Sequence, residues 1–138
     1  VRRVMDVNLH GAFAMVRAFL PALRRTRGCI VNVASGAAFA AQAGCVGYSS
    51  SKAALHMLTR TLAVDLGADG VRVNAVAPGV IDTGMAQKAF PPERIKALVP
   101  AGRAGLPQEV AALVAFLCSA EAVYITGGIY PVDGGATA

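Results

Sequence analysis

The chain has 138 residues, enough for one domain with a real core. Hydrophobic residues make up 55% and mean hydropathy is +0.53, so some elements must be buried on more than one side or meet another chain. Thirteen basic against eight acidic residues give a net charge of +5. That charge comes with no aromatic or glycine-rich nucleic-acid motif, and no apolar run reaches the ~18–20 residues of a membrane span, so neither nucleic acid nor membrane is expected as a partner. The three cysteines, Cys29, Cys45 and Cys118, are odd in number and lack metal-ligand spacing. They read as reduced thiols of a cytoplasmic protein, with no metal. No secretory leader pattern opens the chain, and the first residue is Val1 rather than Met.

Residues 1–23 read as a helix, apolar nearly all round through "GAFAMVRAFLPAL", with Asn8 as a polar interruption. Arg24, Arg25 and Arg27 then complement its C-terminal end. "CIVNVAS" after Gly28 is a short β-branched run and reads as a buried parallel strand. Tyr48 to about Leu66 is the second helix, with an apolar stripe at Ala54, Leu55, Leu58, Leu62 and Leu66, ended by the glycines of "LGADG". "VRVNAVAP" from Val71 is the second strand. Residues 79–106 form a long connection with one short helix near 92–98. Pro107 starts a third long helix to about 119, with Glu109 in its first turn. "GGIYPVDGG" supplies the last strand and a turn. The alternation argues an α/β fold with a parallel sheet and right-handed crossovers. Three strands are too few to protect both edges when the first two look buried on both faces, so the sheet should continue elsewhere.

Ser35 stands just past the first strand, Tyr48 follows thirteen residues later, and Lys52 lies one helical turn beyond Tyr48. Ser35 and Pro78-Gly79 both sit at carboxyl ends of strands, where open α/β sheets bind ligands. "NVAS", "YSSSK", "VRVNAVAPGVIDT" and "ITGGIYPVDGG", in this order and spacing, resemble the short-chain dehydrogenase/reductase family. The wording is most similar to its 3-oxoacyl-carrier-protein-reductase-like branch, and the resemblance covers essentially the whole chain.

The resemblance implies an NAD(P)-dependent oxidoreductase that interconverts a carbonyl and a secondary alcohol, with NAD or NADP as cofactor and a homo-oligomer, dimer or tetramer, as the full-length form. It implies Tyr48 as general acid/base and Lys52 as its electrostatic partner and ligand of the nicotinamide ribose. A phenol is a weak acid at neutral pH, and a nearby ammonium favours the phenolate. Ser35 would hydrogen-bond the substrate oxygen. Asn8 would support a water relay to Lys52 through a break in its helix. The Pro78-Gly79-Val80-Ile81 backbone and the Thr83 hydroxyl would hold the nicotinamide carboxamide.

Plainer readings stand beside these. Asn8 alone fits a buried structural residue, and Ser35 alone fits a strand-end turn. Asn74 reads as a partner for backbone groups, His56 as a helix-surface histidine, Cys45 as packing, and Asp133 as a turn residue. His10 shows no acid partner at a recognisable spacing.

The chain contains no TGxxxGxG-like stretch, the glycine-rich turn with which the family seats a pyrophosphate at a helix N-terminus. The shortfall is roughly 100 residues, about three βαβ units. The expectation is therefore the C-terminal half of a Rossmann-like doubly wound domain, lacking its N-terminal dinucleotide-binding units. The alternative is a catalytically inactive truncated relative acting as an oligomerisation or interaction subunit.

Overall fold

A computed structural model describes residues 1–138, the side chain of Met85 excepted. Three parallel strands, β1 (Cys29–Val33), β2 (Arg72–Pro78) and β3 (Ile129–Val132), lie in the order β1-β2-β3. The register pairs Cys29 with Arg72 and Val33 with Val76, then Ala75 with Ile129 and Pro78 with Val132.

The N-terminal helix is in three parts. A short turn of α-helix, α1 (Arg2–Met5), passes into a π-helical turn over Asp6–His10 and then into α2 (Gly11–Thr26). In the π-turn the Gly11 N–H donates to the Asp6 carbonyl five residues back, the single extra residue that defines such a bulge. Asn8 lies in this turn, where the helix is widened by one residue but not interrupted. At the other end of α2, Arg27 takes a left-handed conformation with φ 49, and Gly28 N–H reaches back to Leu23 O at 3.0 Å. Arg24 pairs with Asp69 at 2.7 Å, so one member of the arginine cluster ties the helix end to the turn before β2.

β1 leads to α3 (Val46–Leu66), close to the expected span. After β2 come α4 (Gly84–Ala89), α5 (Pro92–Leu98) and α6 (Pro107–Cys118). Of these, α4 was not expected from the sequence.

Alternation along β2 separates two helical layers. Val71, Val73 and Ala75 point to one face, where they pack with Val16, Leu55, Leu62, Ala63 and Leu66 of α2 and α3. Arg72 and Asn74 point to the other. There Arg72 donates to Leu117 O at 2.8 Å, Ile125 O at 3.3 Å and Ser119 O at 3.4 Å. The buried Asn74 amide donates to Ile125 O at 2.8 Å, and its oxygen accepts from Gly128 N–H at 3.0 Å. This is the backbone-satisfying role expected for Asn74, and it keeps a fully buried amide from going unpaired.

Double burial holds for β2 only. β1 is the sheet edge, with Val33 55% exposed. The apolar surface expected to be covered around α2 is open as well: Phe13, Met15 and Phe19 are all exposed.

Candidate active site

The carboxyl ends of the three strands meet at one end of the sheet. Ser35 follows β1 in extended backbone and caps a 3₁₀ turn at Gly36–Ala38, its hydroxyl accepting from Ala37 N–H at 3.1 Å. Gly79 follows β2 and donates to Val132 O at 3.0 Å. A Cβ at Gly79 would lie 2.7 Å from the Asp133 Cβ, so only glycine lets this turn close on the end of β3. Asp133 itself accepts from Gly135 N–H at 3.0 Å and Thr137 N–H at 3.1 Å, which makes it the turn residue expected.

Tyr48 sits in the first turn of α3, 42% exposed, its ring free to meet a ligand. Lys52 lies on the same face. Its ammonium stands 5.7 Å from the Tyr48 ring centroid and donates to Val33 O, the last residue of β1, at 2.9 Å. One long side chain thus joins the helix carrying the tyrosine to the strand that leads into the serine. Burial lowers the Lys52 pKa, and no carboxylate pairs with it among the described residues.

Asn8 reaches the same helix by another route. Its side-chain amide donates to Ser51 Oγ at 3.0 Å, and Ser51 Oγ donates to the Tyr48 carbonyl at 2.7 Å. The structure therefore brings Asn8 to the serine between Tyr48 and Lys52, a residue the sequence had left unassigned. Ser51 is fully buried. Its signal was its place one turn after Tyr48, facing the polar interruption at Asn8.

His56 departs from expectation. It is 8% exposed rather than a surface residue, and its ring lies 4.8 Å from that of Phe39. Its Nε2 has no partner among the described residues. Burial first, then Arg60 and Lys52, lower its pKa. His10 also differs: Nδ1 lies 2.9 Å from Asp6 Oδ1, an i,i+4 acid partner that the sequence reading had missed. Cys45 precedes α3 and is half-buried.

Beyond Gly79, Val80 accepts from Gly105 N–H at 2.9 Å and Asp82 N–H donates to Gly105 O at 2.7 Å. These bonds place Ile81 in a backbone bridge to Gly105. Thr83 is exposed and precedes α4 without a side-chain cap bond. A cavity of about 380 Å³, lined by Asp82, Ala86, Gln87, Phe90 and Ile95 among others, opens between α4 and α5. An exposed bidentate pair, Arg103 to Glu109 at 2.9 and 2.6 Å, closes the far end of this segment.

A three-stranded parallel sheet packed against helices, with Ser35 just past β1 and Lys52 of α3 bonded to the last residue of β1, defines a Rossmann-like α/β fold. A family model described as enoyl-(acyl carrier protein) reductase matches residues 1–137. The chain belongs to the short-chain dehydrogenase/reductase family. It is 42% identical over 140 residues to a meso-2,3-butanediol dehydrogenase of Serratia marcescens, covering 99% of this chain and 55% of that protein. It is 42% identical over 135 residues to the 3-oxoacyl-acyl-carrier-protein reductase FabG of Thermotoga maritima, covering 96% and 55%. Among solved structures, a 3-oxoacyl-acyl-carrier-protein reductase from Brucella melitensis superposes with TM-score 0.92 at 40% identity, over 99% of this chain and 53% of that one. A 4-hydroxyisoleucine dehydrogenase mutant complexed with NADH and succinate gives 0.93 at 34%, over 99% and 58%. The chain spans about half the length of the curated relatives it matches.

Proposed function

We propose that residues 1–138 are the C-terminal, catalytic part of a single short-chain dehydrogenase/reductase domain, and that the protein interconverts a carbonyl and a secondary alcohol with NAD or NADP. The observation that carries this reading is the Lys52 side chain, drawn past the Tyr48 ring onto Val33 O. The partly buried ammonium has one bond and spare donors. It fits neutral hydroxyls such as those of a ribose, which add hydrogen bonds without a second charge. The bare α-carbon of Gly79 fits the other requirement, a backbone that approaches its neighbours closely.

In this reading Tyr48, Lys52, the Pro78-Gly79 and Ile81 backbone and the Thr83 hydroxyl hold the nicotinamide end of the cofactor. The nicotinamide, when bound, supplies or accepts the hydride. Ser35 and Tyr48 hydrogen-bond the substrate oxygen. Tyr48 gives its phenolic proton to that oxygen during reduction and takes it back during oxidation. Lys52 stabilises the phenolate left behind. Asn8, through Ser51, fixes the turn that carries Tyr48. Residues 82–106 cover the substrate.

Support comes from the similarity to dehydrogenases and reductases across the whole chain. The test is Tyr48→Phe in the protein as encoded. Carbonyl-dependent NAD(P)H oxidation should fall by about 10²–10⁴-fold, while NAD(P)H binding, read by fluorescence, is retained. Unchanged turnover in the variant overturns the assignment.

The open apolar face of α2, with Phe13, Met15 and Phe19, favours one second reading, an interaction subunit that pairs with a longer relative. The residues encoded ahead of Val1 discriminate. A strand followed by a TGxxxGxG turn supports the enzyme; a start site at Val1 supports the subunit.

A further inference from the structure

At the opposite end of the sheet, Cys29 opens β1 and Cys118 closes α6, 89 residues apart in sequence. Cys29 is the register partner of Arg72, so both side chains leave the sheet on the same face, the one that α6 covers. Arg72 in turn grips the carbonyls of Leu117 and Ser119, the two neighbours of Cys118. The Cys29 sulfur comes to 4.0 Å from the Cys118 carbonyl oxygen, and both thiols are free. A cleft of about 220 Å³ reaches them from solvent between Arg27, Gly28, Arg72 and Ser119.

We propose that Cys29 and Cys118 form a redox-active dithiol, a site that accepts a low-molecular-weight disulfide and converts to an intrachain Cys29–Cys118 bond. Two features make the pair more than two nearby cysteines. The guanidinium of Arg72 fixes the turn on which Cys118 sits, and the strand fixes Cys29, so the fold itself holds the Cys29 sulfur beside the Cys118 backbone. Cys118 is exposed while Cys29 is half-buried, which assigns the order of attack.

The Cys118 thiolate attacks one sulfur of the oxidant, RSSR. A Cys118–SR bond forms, the RS–SR bond breaks, and the first RS⁻ leaves and takes up a proton. The Cys29 thiolate then attacks the Cys118 sulfur, the Cys29–Cys118 bond forms, and the second RS⁻ leaves and is protonated. The protein loses two electrons and two protons, and RSSR gains both as two RSH. Burial and the Cys29 thiol raise the Cys118 pKa while Arg72 lowers it, so the guanidinium that fixes the turn also favours the attacking thiolate.

The experiment treats the purified protein with oxidised glutathione, blocks remaining thiols with N-ethylmaleimide and maps the peptides by mass spectrometry. Trypsin alone leaves Cys29 and Cys45 on one peptide, residues 28–52, so a second cleavage after Phe39 is needed to separate them. The expected product joins the Cys29 and Cys118 peptides within one chain, carries the alkylating label on Cys45, and is reversed by dithiothreitol. The cross-link should be lost in Cys29→Ser and in Cys118→Ser, with the remaining thiol recovered as a glutathione adduct in Cys29→Ser. A bond to Cys45, a disulfide between chains, glutathione adducts without the internal cross-link in the unmodified sequence, or two fully alkylated thiols would each overturn the proposal.

Discussion

Asn8 on the π-turn and Ser51 on α3 are joined at 3.0 Å, and Ser51 passes the link to the Tyr48 carbonyl. Ser51→Ala removes the middle of that chain. Because Ser51 is fully buried, the Asn8 amide loses its partner, and we expect a loss of about 1–3 kcal/mol in stability. Turnover should fall with little change in apparent cofactor affinity, since no cofactor contact is removed. Denaturant unfolding and steady-state kinetics on one preparation of the protein as encoded, rather than of residues 1–138 alone, check both halves. An unchanged midpoint with unchanged turnover would mean that the link is incidental.

Gly79→Ala places a Cβ 2.7 Å from the Cβ and 2.9 Å from the Cα of Asp133. Backbone cannot yield there as a flexible side chain would, so the turn must open and the Gly79–Val132 bond lengthen. The expected effect is about 1–3 kcal/mol of destabilisation together with weaker cofactor binding. Binding isotherms for NADH and NADPH, measured beside a thermal melt, separate the two.

His56 should make the protein acid-sensitive. Its folded pKa lies below the ordinary 6.5, so the unfolded chain binds the proton more readily. Stability therefore rises as pH climbs through the window between the lowered folded value and 6.5, and falls as pH drops through it. His56→Phe keeps the aromatic contact with Phe39 and removes the titration. Melting temperatures at about pH 5 and about pH 7.5 should differ less in the variant than in the parent. An equal difference would place the acid sensitivity elsewhere.

Residues 1–138 alone should associate. Val7, Phe13, Met15 and Phe19 are exposed on the N-terminal helix and Val33 on the sheet edge. Sedimentation or light scattering should show a concentration-dependent mass, and NAD(P)H turnover should be negligible because no pyrophosphate-seating turn is present in the sequence. A monodisperse monomer with cooperative melting contradicts the first expectation.

The long elements were legible because their signals are local. β-branched runs mark β1 and β2, glycine ends α3, and Pro107 with Glu109 starts α6. The tyrosine–lysine spacing is equally local, and the structure adds the Val33 carbonyl as the feature that unites it with Ser35. What escaped depends on distant neighbours or on brevity. α4 has six residues, too few for a helical period to emerge. His56 read as a surface residue because Phe39, which covers it, lies in the loop before α3. Ser51 looked like one of three interchangeable serines until Asn8 was seen to face it. β1 read as buried on both sides because residue type records the tendency to be covered, not whether the cover is in the same stretch of chain.

The π-turn over Asp6–His10 acts as a phase shift. An α-helix turns about 100° per residue, so one residue too many rotates everything before it by that angle relative to everything after. Deleting a single position there, Val7 for instance, would leave composition and hydrophobicity almost unchanged while swinging Asn8 out of line with Ser51. The register of one amide toward the tyrosine's helix is thus set by a count of residues rather than by any side chain, and a substitution scan of the helix would not reveal it.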